Sequence, residues 1–419
     1  MPERKEWIRE EIIACGAGWD VPKKSVEACG RRLEPGGRLH QETRHWGTMT
    51  RDLLEMADWL EAEGVTDVAM ESTGVFWKPI FNILESRFVV LLVNARHLKQ
   101  VPGRKSDVRD CQWIAQLLQC GLLKGSFIPP RPQRDLRDLT RHRTQLVEAK
   151  TRTINRIQKV LEDANIKLAS VASDVMGVSG RAMIQRLIGG ETNPCKLADL
   201  AQRQLRGKIP DLEKALEGKL TDHHRFLLKL LWKELSQQEE LITELDSKIE
   251  EHTRPHAAEI ERLDAVPGVD RRVAEVLLAE VGPDMNPFPS DEHLSSWAGM
   301  CPGNEESAGK RHRKRITPGS RWLKQTLAQA AWAASHTKNT YLASQYRRLA
   351  GRRGKKRALI AVGHSMLVIY YHMLKAGTSY ADLGGNFFDR LEPKRLTHYY
   401  LKRLERLGYK VSLETSDMG

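Results

Sequence analysis

The sequence predicts an α/β domain over residues 1–130, a helical, coiled-coil region over 131–255, a mainly α-helical domain over 256–376 and a carboxy-terminal tail over 377–419. Strand-like and helix-like patterns alternate up to residue 130, as in α/β folds. Prolines at positions 129, 130 and 132 interrupt regular structure, and helical periodicity follows them. With 419 residues, the chain is too long for one ordinary core.

The amino-terminal domain is predicted from segments that alternate in pattern. Strands are expected where apolar and β-branched residues run together, and helices where apolar residues recur every three or four positions. The predicted order is a strand at residues 12–15, a helix at 49–63, a strand at 65–71, a helix at 76–86, a strand at 88–93 and a helical run at 113–122.

Acidic residues stand at the ends of two of these segments. Glu71 ends a predicted strand, where ligands bind in open α/β sheets, and a Ser-Thr-Gly turn follows it. Asp107 and Asp110 lie three residues apart before a helix and so share a helix face. With Asp20 these acids could bind a hard cation such as magnesium. Alternatively, Asp107 and Asp110 only offset the partial positive charge of a helix start.

The middle region is predicted to form two long amphipathic helices, over residues 134–165 and 211–252, because apolar residues recur at threes, fours and sevens. Either ordinary helical packing or an oligomerisation arm would explain them. Residues 177–210 are rich in Gly, Asn and Pro, so they form either the turn of an antiparallel helix pair or an inserted subdomain.

A Val-Pro-Gly-Val segment at residues 266–269 precedes a short predicted helix at 273–282. This resembles helix-hairpin-helix elements, whose backbone amides can hold a DNA phosphate. Plain turn chemistry is the alternative. The sequence leaves both open.

Composition indicates a polyanionic partner, most often nucleic acid: Lys and Arg number 67 against 54 Asp and Glu, a formal charge of +13. The six cysteines form no CxxC pair, so neither a zinc module nor a disulfide framework is indicated, which fits a reducing cytoplasm. No run of 18 apolar residues occurs, and we expect a soluble, cytoplasmic protein without a membrane span.

Residues 310–357 contain 15 Lys and Arg and no Asp or Glu. Such a run is often only a solvated face, but here it favours a surface for the phosphate backbone of nucleic acid. Flanking the acids of the amino-terminal domain, Arg104 and Lys105 could contact the same backbone or serve solubility alone. The other candidate contacts are Lys310, Arg311, Arg313, Lys314, Arg315, Arg321, Arg352, Arg353, Lys355, Lys356 and Arg357.

Ser307 lies in a Gly- and Pro-bearing segment directly before this basic run. Nearby cations would stabilise charge that develops on a phosphodiester, and a serine could take the phosphate covalently. Ser307 is therefore a candidate nucleophile. Local hydrogen bonding to the backbone is the alternative role for a loop serine.

Six motifs in one order resemble a known family: residues 71–77 (ESTGVFW), 94–97 (NARH), 101–110 (VPGRKSDVRD), 266–268 (VPG), 297–303 (WAGMCPG) and 306–309 (ESAG). The family comprises bacterial insertion-sequence transposases with an amino-terminal DEDD, RuvC-like domain and a carboxy-terminal serine-containing transposase domain. The resemblance runs over almost the full chain.

This resemblance implies an RNase H-like (RuvC-like) fold in which Asp20, Glu71, Asp107 and Asp110 bind one or two magnesium ions and Ser307 attacks DNA. It also implies double-stranded donor and target DNA, a structured noncoding guide RNA, a homodimer or homotetramer, and association with the nucleoid. Trp19 departs from the family pattern, which usually has an aliphatic residue before the first Asp. If Trp19 is a defect, Trp19→Ile should raise activity.

The function expected is therefore that of a transposase that cuts and rejoins DNA. Two alternatives stay open. One is a metal-dependent, structure-specific nuclease of the resolvase type, in which water replaces the serine. The other is a DNA-binding protein without catalytic activity, whose acids only cap helices.

Overall fold

The structure is a computed structural model. It describes residues 13–20, 25–34, 36–72, 74–94, 98, 110–301, 306–307, 310–311, 319–391 and 393–413, and for residues 306, 307, 310, 311 and 395 the backbone alone. The chain divides into two compact units, Met1–Pro129 and Pro130–Gly419. The division falls within the proline-containing segment.

The first unit contains a mixed five-stranded sheet in its described part. Its elements are β1 Cys15–Asp20, β2 Val26–Leu33, β3 Leu39–Trp46, α1 Thr50–Ala62, β4 Asp67–Glu71, α2 Trp77–Leu84, β5 Val89–Val93 and α3 Asp110–Gln119. The strand order is β3-β2-β1-β4-β5. Strands β1 to β3 pair antiparallel, whereas β4 lies parallel to both β1 and β5. This confirms an α/β amino-terminal unit.

Alternating side chains give the sheet two buried faces. One face forms a core with α1 and α2 that includes Trp19, Met70, Leu53 and Ile80. On the other face, apolar residues such as Ala69 and Val93 form a second core with α3. The sheet is therefore a layer between helices.

Several predicted boundaries need correction. Strand β1 begins at Cys15, where the predicted strand ends, and β2 and β3 were not predicted. The predicted helices at 49–63 and 76–86 are confirmed as α1 and α2.

Two long helices, α4 Arg131–Asp163 and α9 Asp222–Thr253, begin the second unit. Pro132 is in the first turn of α4, where its missing N–H costs nothing. The pairs between the helices progress in opposite chain directions, so the helices are antiparallel: Asp163 with His224, Arg156 with Glu234, Lys150 with Glu239 and Arg143 with Asp246.

Between α4 and α9 lies a subdomain of short helices with its own core around Met183, Leu197, Leu212 and Leu228. Residues 211–216, predicted as the start of the second long helix, belong instead to a separate helix. The helices are α5 Leu168–Val171, α6 Val178–Ile188, α7 Pro194–Ala198 and α8 Ile209–Leu216, with a 3-10 helix at Arg203–Lys208. Both alternatives for this segment therefore describe part of it, since the subdomain also forms the turn of the helix pair.

A helical bundle follows α9 after a 3-10 turn at Arg254–His256. Its elements are α10 Ala257–Asp264, α11 Arg271–Val281, α12 Asp291–Trp297, a two-stranded hairpin of β6 Glu306–Ser307 and β7 Lys310–Arg311, α13 Arg321–His336, α14 Tyr341–Arg353 and α15 Lys355–Ala376. The predicted tail contains two further helices, α16 Phe387–Leu391 and α17 Pro393–Arg406.

Helix α15 is long and apolar enough to cross a membrane by length and composition alone, with a mean hydropathy of 1.2 over its most apolar window. Several of its apolar residues are buried in the bundle. Val362, Leu367 and Tyr370 are buried, and the Tyr370 hydroxyl donates to the Gly282 carbonyl at 2.7 Å. A core helix of this kind passes the same test, so the result is weak evidence for a membrane span.

Candidate functional site: acids at one end of the sheet

Two of the predicted acids end neighbouring parallel strands. Trp19 of β1 pairs with Met70 of β4, and the next residues along these strands are Asp20 and Glu71. Both acids are half-buried. Because the strands are parallel, the two carboxylates lie at the same edge of the sheet.

Alternation places both acids on the sheet face that α3 covers. Trp19 and Met70 are fully buried in the core on the α1 and α2 side, so Asp20 and Glu71 point to the opposite face. Trp19 is thus an ordinary core residue, although its indole N–H has no hydrogen-bond partner among the described residues.

A close helix–strand contact brings the third acid to this edge. A Cβ atom on Gly18 would lie 2.2 Å from the backbone nitrogen of Ala115 and 2.4 Å from the carbonyl oxygen of Cys111. Only glycine allows this approach. Since α3 starts at Asp110, the first turn of α3 lies against β1 two residues before Asp20.

Glu27 is a fourth acid at this edge, and it is not among the acids predicted from the sequence. It is directly opposite Asp20 in the antiparallel β1–β2 pair. The Cys111 thiol donates to its Oε2 at 3.6 Å, and His45 Nδ1 lies 3.3 Å from its Oε1. Burial raises the pKa of Cys111 to about 12, helped by Cys29 and Glu27, so the thiol keeps the proton that it donates.

These oxygen donors are of the kind that magnesium prefers. Among the residues that the structure describes, no three or more His, Cys, Asp or Glu side chains form a group that could hold a metal ion. Asp107, Arg104 and Lys105 lie outside the described residues. Carboxylate oxygens fit a hard cation. Three of the four predicted ligands, Asp20, Glu71 and Asp110, are among the described residues.

Ser307 lies in a short hairpin. The backbone register pairs Ser307 with Lys310 and Glu306 with Arg311. Arg313, Lys314 and Arg315 lie outside the described residues. After the hairpin, the chain is fixed at Gly319, where a Cβ atom would lie 2.3 Å from the carbonyl oxygen of Ala298. The serine segment therefore ends on a tightly packed part of the bundle.

Arg321 lies at the start of α13, and its guanidinium carbon is 4.3 Å from the centre of the Trp322 ring. The remaining predicted basic residues of the second unit cluster at the junction of α14 and α15. Gly354, with φ +85°, joins the two helices. Within the described residues none of the five exposed cations at this junction forms an ion pair: Arg352, Arg353, Lys355, Lys356 and Arg357. Such cations are available to phosphate groups.

Comparison with known proteins identifies both parts of this arrangement. A DEDD transposase model of the IS110 type matches residues 17–166, which include the sheet and its acids. A second family model, "Transposase IS116/IS110/IS902 family", matches residues 260–347, which include Ser307. The chain carries both domains of the IS110/IS116 family of transposases.

Two curated relatives agree with this assignment. The chain is 31% identical over 119 residues to an uncharacterized 43.6 kDa protein of insertion element IS110 from Streptomyces coelicolor, which covers 28% of this chain and 29% of that protein. It is 24% identical over 301 residues to a probable family 20 transposase from Pseudomonas aeruginosa, covering 71% of this chain and 80% of that protein.

In this transposase-family chain, the Val-Pro-Gly-Val segment forms the turn between α10 and α11. A Cβ atom on Gly268 would lie 2.3 Å from the Ala330 carbonyl, so the turn is packed against α13. The Asp270 side chain caps α11 by accepting from the Val273 N–H at 2.8 Å. Plain turn chemistry explains these contacts, and the carboxylate already occupies the helix start where a phosphate would bind.

A buried ion pair connects the start of α13 to the long helix α4. Glu280, 1% exposed, accepts from Arg141 at 2.7 and 2.9 Å and from the Ser320 hydroxyl at 2.9 Å. Next to it, Arg137 donates to the Ala279 carbonyl, and burial lowers the pKa of Arg137 to about 10. Two cations and one hydroxyl thus compensate the desolvation of Glu280 and its neighbouring carbonyls.

Proposed function

We propose that the chain is a transposase that cuts and rejoins the DNA of an insertion sequence, with Ser307 as the nucleophile and a magnesium site at the edge of the sheet. The placement of Asp20 and Glu71 at the ends of neighbouring parallel strands supports this most directly. The first turn of α3, with Asp110, lies against the same sheet face.

The carboxylates of Asp20, Glu71, Asp107 and Asp110 would hold one or two magnesium ions. When bound, magnesium supplies a Lewis acid that polarises the scissile phosphate. The protein's own contribution is to fix the carboxylates on rigid elements, since two of them end paired strands and one begins a helix packed on those strands.

In the proposed reaction, Ser307 Oγ attacks the phosphorus atom of one phosphodiester. The new Oγ–P bond replaces the P–O bond to the leaving strand, which departs as a hydroxyl after receiving the proton lost by the serine. A strand hydroxyl then attacks the phosphoserine, restores a phosphodiester and returns the proton to Ser307. Each exchange conserves the number of phosphate ester bonds, so it needs no ATP.

Lys310, Arg311, Arg313, Lys314 and Arg315 would screen the charge that develops on the phosphate. The exposed cations at the α14–α15 junction and Arg321 would hold the DNA backbone further away. In the amino-terminal unit, Arg104 and Lys105 would contact the backbone beside the acids.

We further propose that a noncoding RNA guides the reaction by pairing with donor and target DNA, and that a homodimer or homotetramer brings Ser307 to the acids. The resemblance of the motifs to RNA-guided members of the family supports both points. The formal charge of +13 suits two polyanionic partners.

The decisive experiment combines the purified protein with magnesium, labelled DNA that contains the element junction and target, and RNA transcribed from the noncoding ends of the element. The products are separated on a denaturing gel. We expect a covalent protein–DNA band for the wild type and none for Ser307→Ala. Ser335→Ala is the matched control, because the Ser335 hydroxyl contacts only its own helix, where it donates to the Trp332 carbonyl and lies 3.1 Å from His336 Nδ1.

The two alternatives predict other gels. Cleaved DNA without a covalent band, equal in wild type and Ser307→Ala, would indicate a metal-dependent nuclease that uses water. DNA binding with no cleavage in any protein would indicate a non-enzymatic DNA-binding protein. Glu71→Gln should abolish cleavage in both enzymatic cases, whereas Glu55→Gln, an exposed change on α1, should leave it unchanged.

A further inference from the structure

Helix α17 is a feature that neither family model covers. The two models end at residues 166 and 347, whereas α17 comprises Pro393–Arg406. Every described side chain from position 393 to 413 is exposed or half-buried, and none is fully buried. A 14-residue helix with so little packing is marginal in water by itself, so a partner would stabilise it.

One face of α17 is strongly basic. Tyr399, Lys402, Arg403 and Arg406 are spaced at i, i+3, i+4 and i+7 and therefore share one side of the helix. All four side chains are exposed, and an Arg403 guanidinium N–H donates to the Tyr399 hydroxyl at 3.4 Å. Glu405 does not fall on this side.

These cations are not neutralised within the protein. In the described part of the chain, neither Lys402 nor Arg403 nor Arg406 forms an ion pair. Arginines elsewhere differ: Arg143 and Arg181, for example, each pair with an acid of α9. A basic helix face whose cations form no ion pairs is complementary to a polyanion.

We propose that the basic face of α17 is a second DNA-binding surface, which contacts the phosphate backbone of double-stranded DNA. This rests on the proposed function for the identity of the polyanion. Lys402 and Arg406 are one helical turn apart, about 6 Å along the axis, so both can contact one strand of a duplex. Tyr399 adds a hydroxyl that can donate to a phosphate oxygen.

The experiment measures the affinity of the full-length protein for a labelled DNA duplex over a series of salt concentrations. The test variant is Lys402→Ala/Arg403→Ala/Arg406→Ala. Each phosphate contact contributes a slope of about −0.9 to log K against log salt, so losing three contacts should reduce the slope by about 2 to 3. Affinity at low salt should fall by at least about tenfold.

The matched control is Lys229→Ala/Lys233→Ala/Lys248→Ala, which removes the same charge from exposed positions on α9, a helix that carries many acids. The control slope should equal that of the wild type. The charge-conserving variant Lys402→Arg/Arg406→Lys should also keep the wild-type slope.

Three results would overturn the proposal. The triple variant could keep the wild-type salt slope for DNA. It could lose affinity for RNA but not for DNA, or it could change only the oligomeric state measured by light scattering. The salt slope and the covalent band test the two proposals separately. Ser307→Ala should form no covalent band yet keep the full salt slope. If the proposed function fails, the wild type itself forms no covalent band, whatever the salt slope of the triple variant.

Discussion

Gly18 of β1 lies so close to Ala115 of α3 that a Cβ atom on the glycine would be 2.2 Å from the Ala115 backbone nitrogen. This contact fixes the distance between the strand that ends in Asp20 and the helix that begins with Asp110. Its removal should therefore separate two of the proposed metal ligands.

Gly18→Ala should displace α3 and destabilise the amino-terminal unit by about 1–3 kcal/mol, the usual cost of overpacking. The rate of strand transfer should fall by more than the loss of folded protein explains, because small displacements of catalytic groups greatly slow a reaction. Thermal unfolding and the denaturing gel measure the two effects. Gly30→Ala in the same sheet is the control, since its Cβ would make an ordinary 3.4 Å contact with Trp59.

Glu27→Ala should raise the magnesium concentration needed for half-maximal activity by about tenfold, the usual effect of losing a group that supports metal ligands. The variant loses the bond from the Cys111 thiol in the first turn of α3. Activity at saturating magnesium should recover. Glu42→Ala on the exposed strand β3 should leave the titration unchanged, and an equal shift there would show that the effect is not specific to Glu27.

The strand ends that carry Asp20 and Glu71 were partly predictable, because β4 has an apolar run that stops at a Ser-Thr-Gly turn. Strands β2 and β3 were not predicted. β3 is a polar edge strand whose residues are all exposed or half-buried, so it lacks the apolar alternation that identifies strands in a sequence. Its backbone bonds to β2 stabilise it instead.

Glu27 could not be predicted either, because its position opposite Asp20 depends on the register of β2. The role of Gly18 was equally hidden, because its contact with α3 joins residues almost a hundred positions apart in the sequence. Patterns within one segment predict elements, whereas such long-range contacts arise only when the elements pack.

Trp19→Ile should destabilise the amino-terminal unit by about 2–3 kcal/mol and should not raise activity. The indole is fully buried in the core with α1 and α2, so the smaller side chain leaves a cavity. Urea unfolding of the wild type, Trp19→Phe and Trp19→Ile should give decreasing stability in that order. Higher activity of Trp19→Ile would instead support the idea that tryptophan is a defect at this position.

Glu280→Ala should cost about 3–5 kcal/mol, because it leaves Arg141 partly buried without its partner. Loss of the Ser320 contact should also loosen the start of α13, which hydrogen exchange at this helix would detect. Asp135→Ala is the control, because the Arg131–Asp135 pair is exposed and should contribute less than about 1 kcal/mol.

The contribution of Glu239 to stability should depend on pH. Its bonds from Arg181, and then from Lys150, lower the pKa of this carboxyl in the folded protein. Because this pKa is lower in the folded protein, ionised Glu239 stabilises the fold fully above its unfolded-state pKa of about 4.5. The stabilisation is lost as the pH falls through the folded-state pKa. Wild type should therefore unfold at a higher temperature than Glu239→Gln at pH 7, and the difference should shrink on acidification below about pH 4.5. A difference that stays constant across this range would show that the Glu239 charge does not contribute. Glu55→Gln, which removes an exposed carboxylate from α1, should show no such pH dependence.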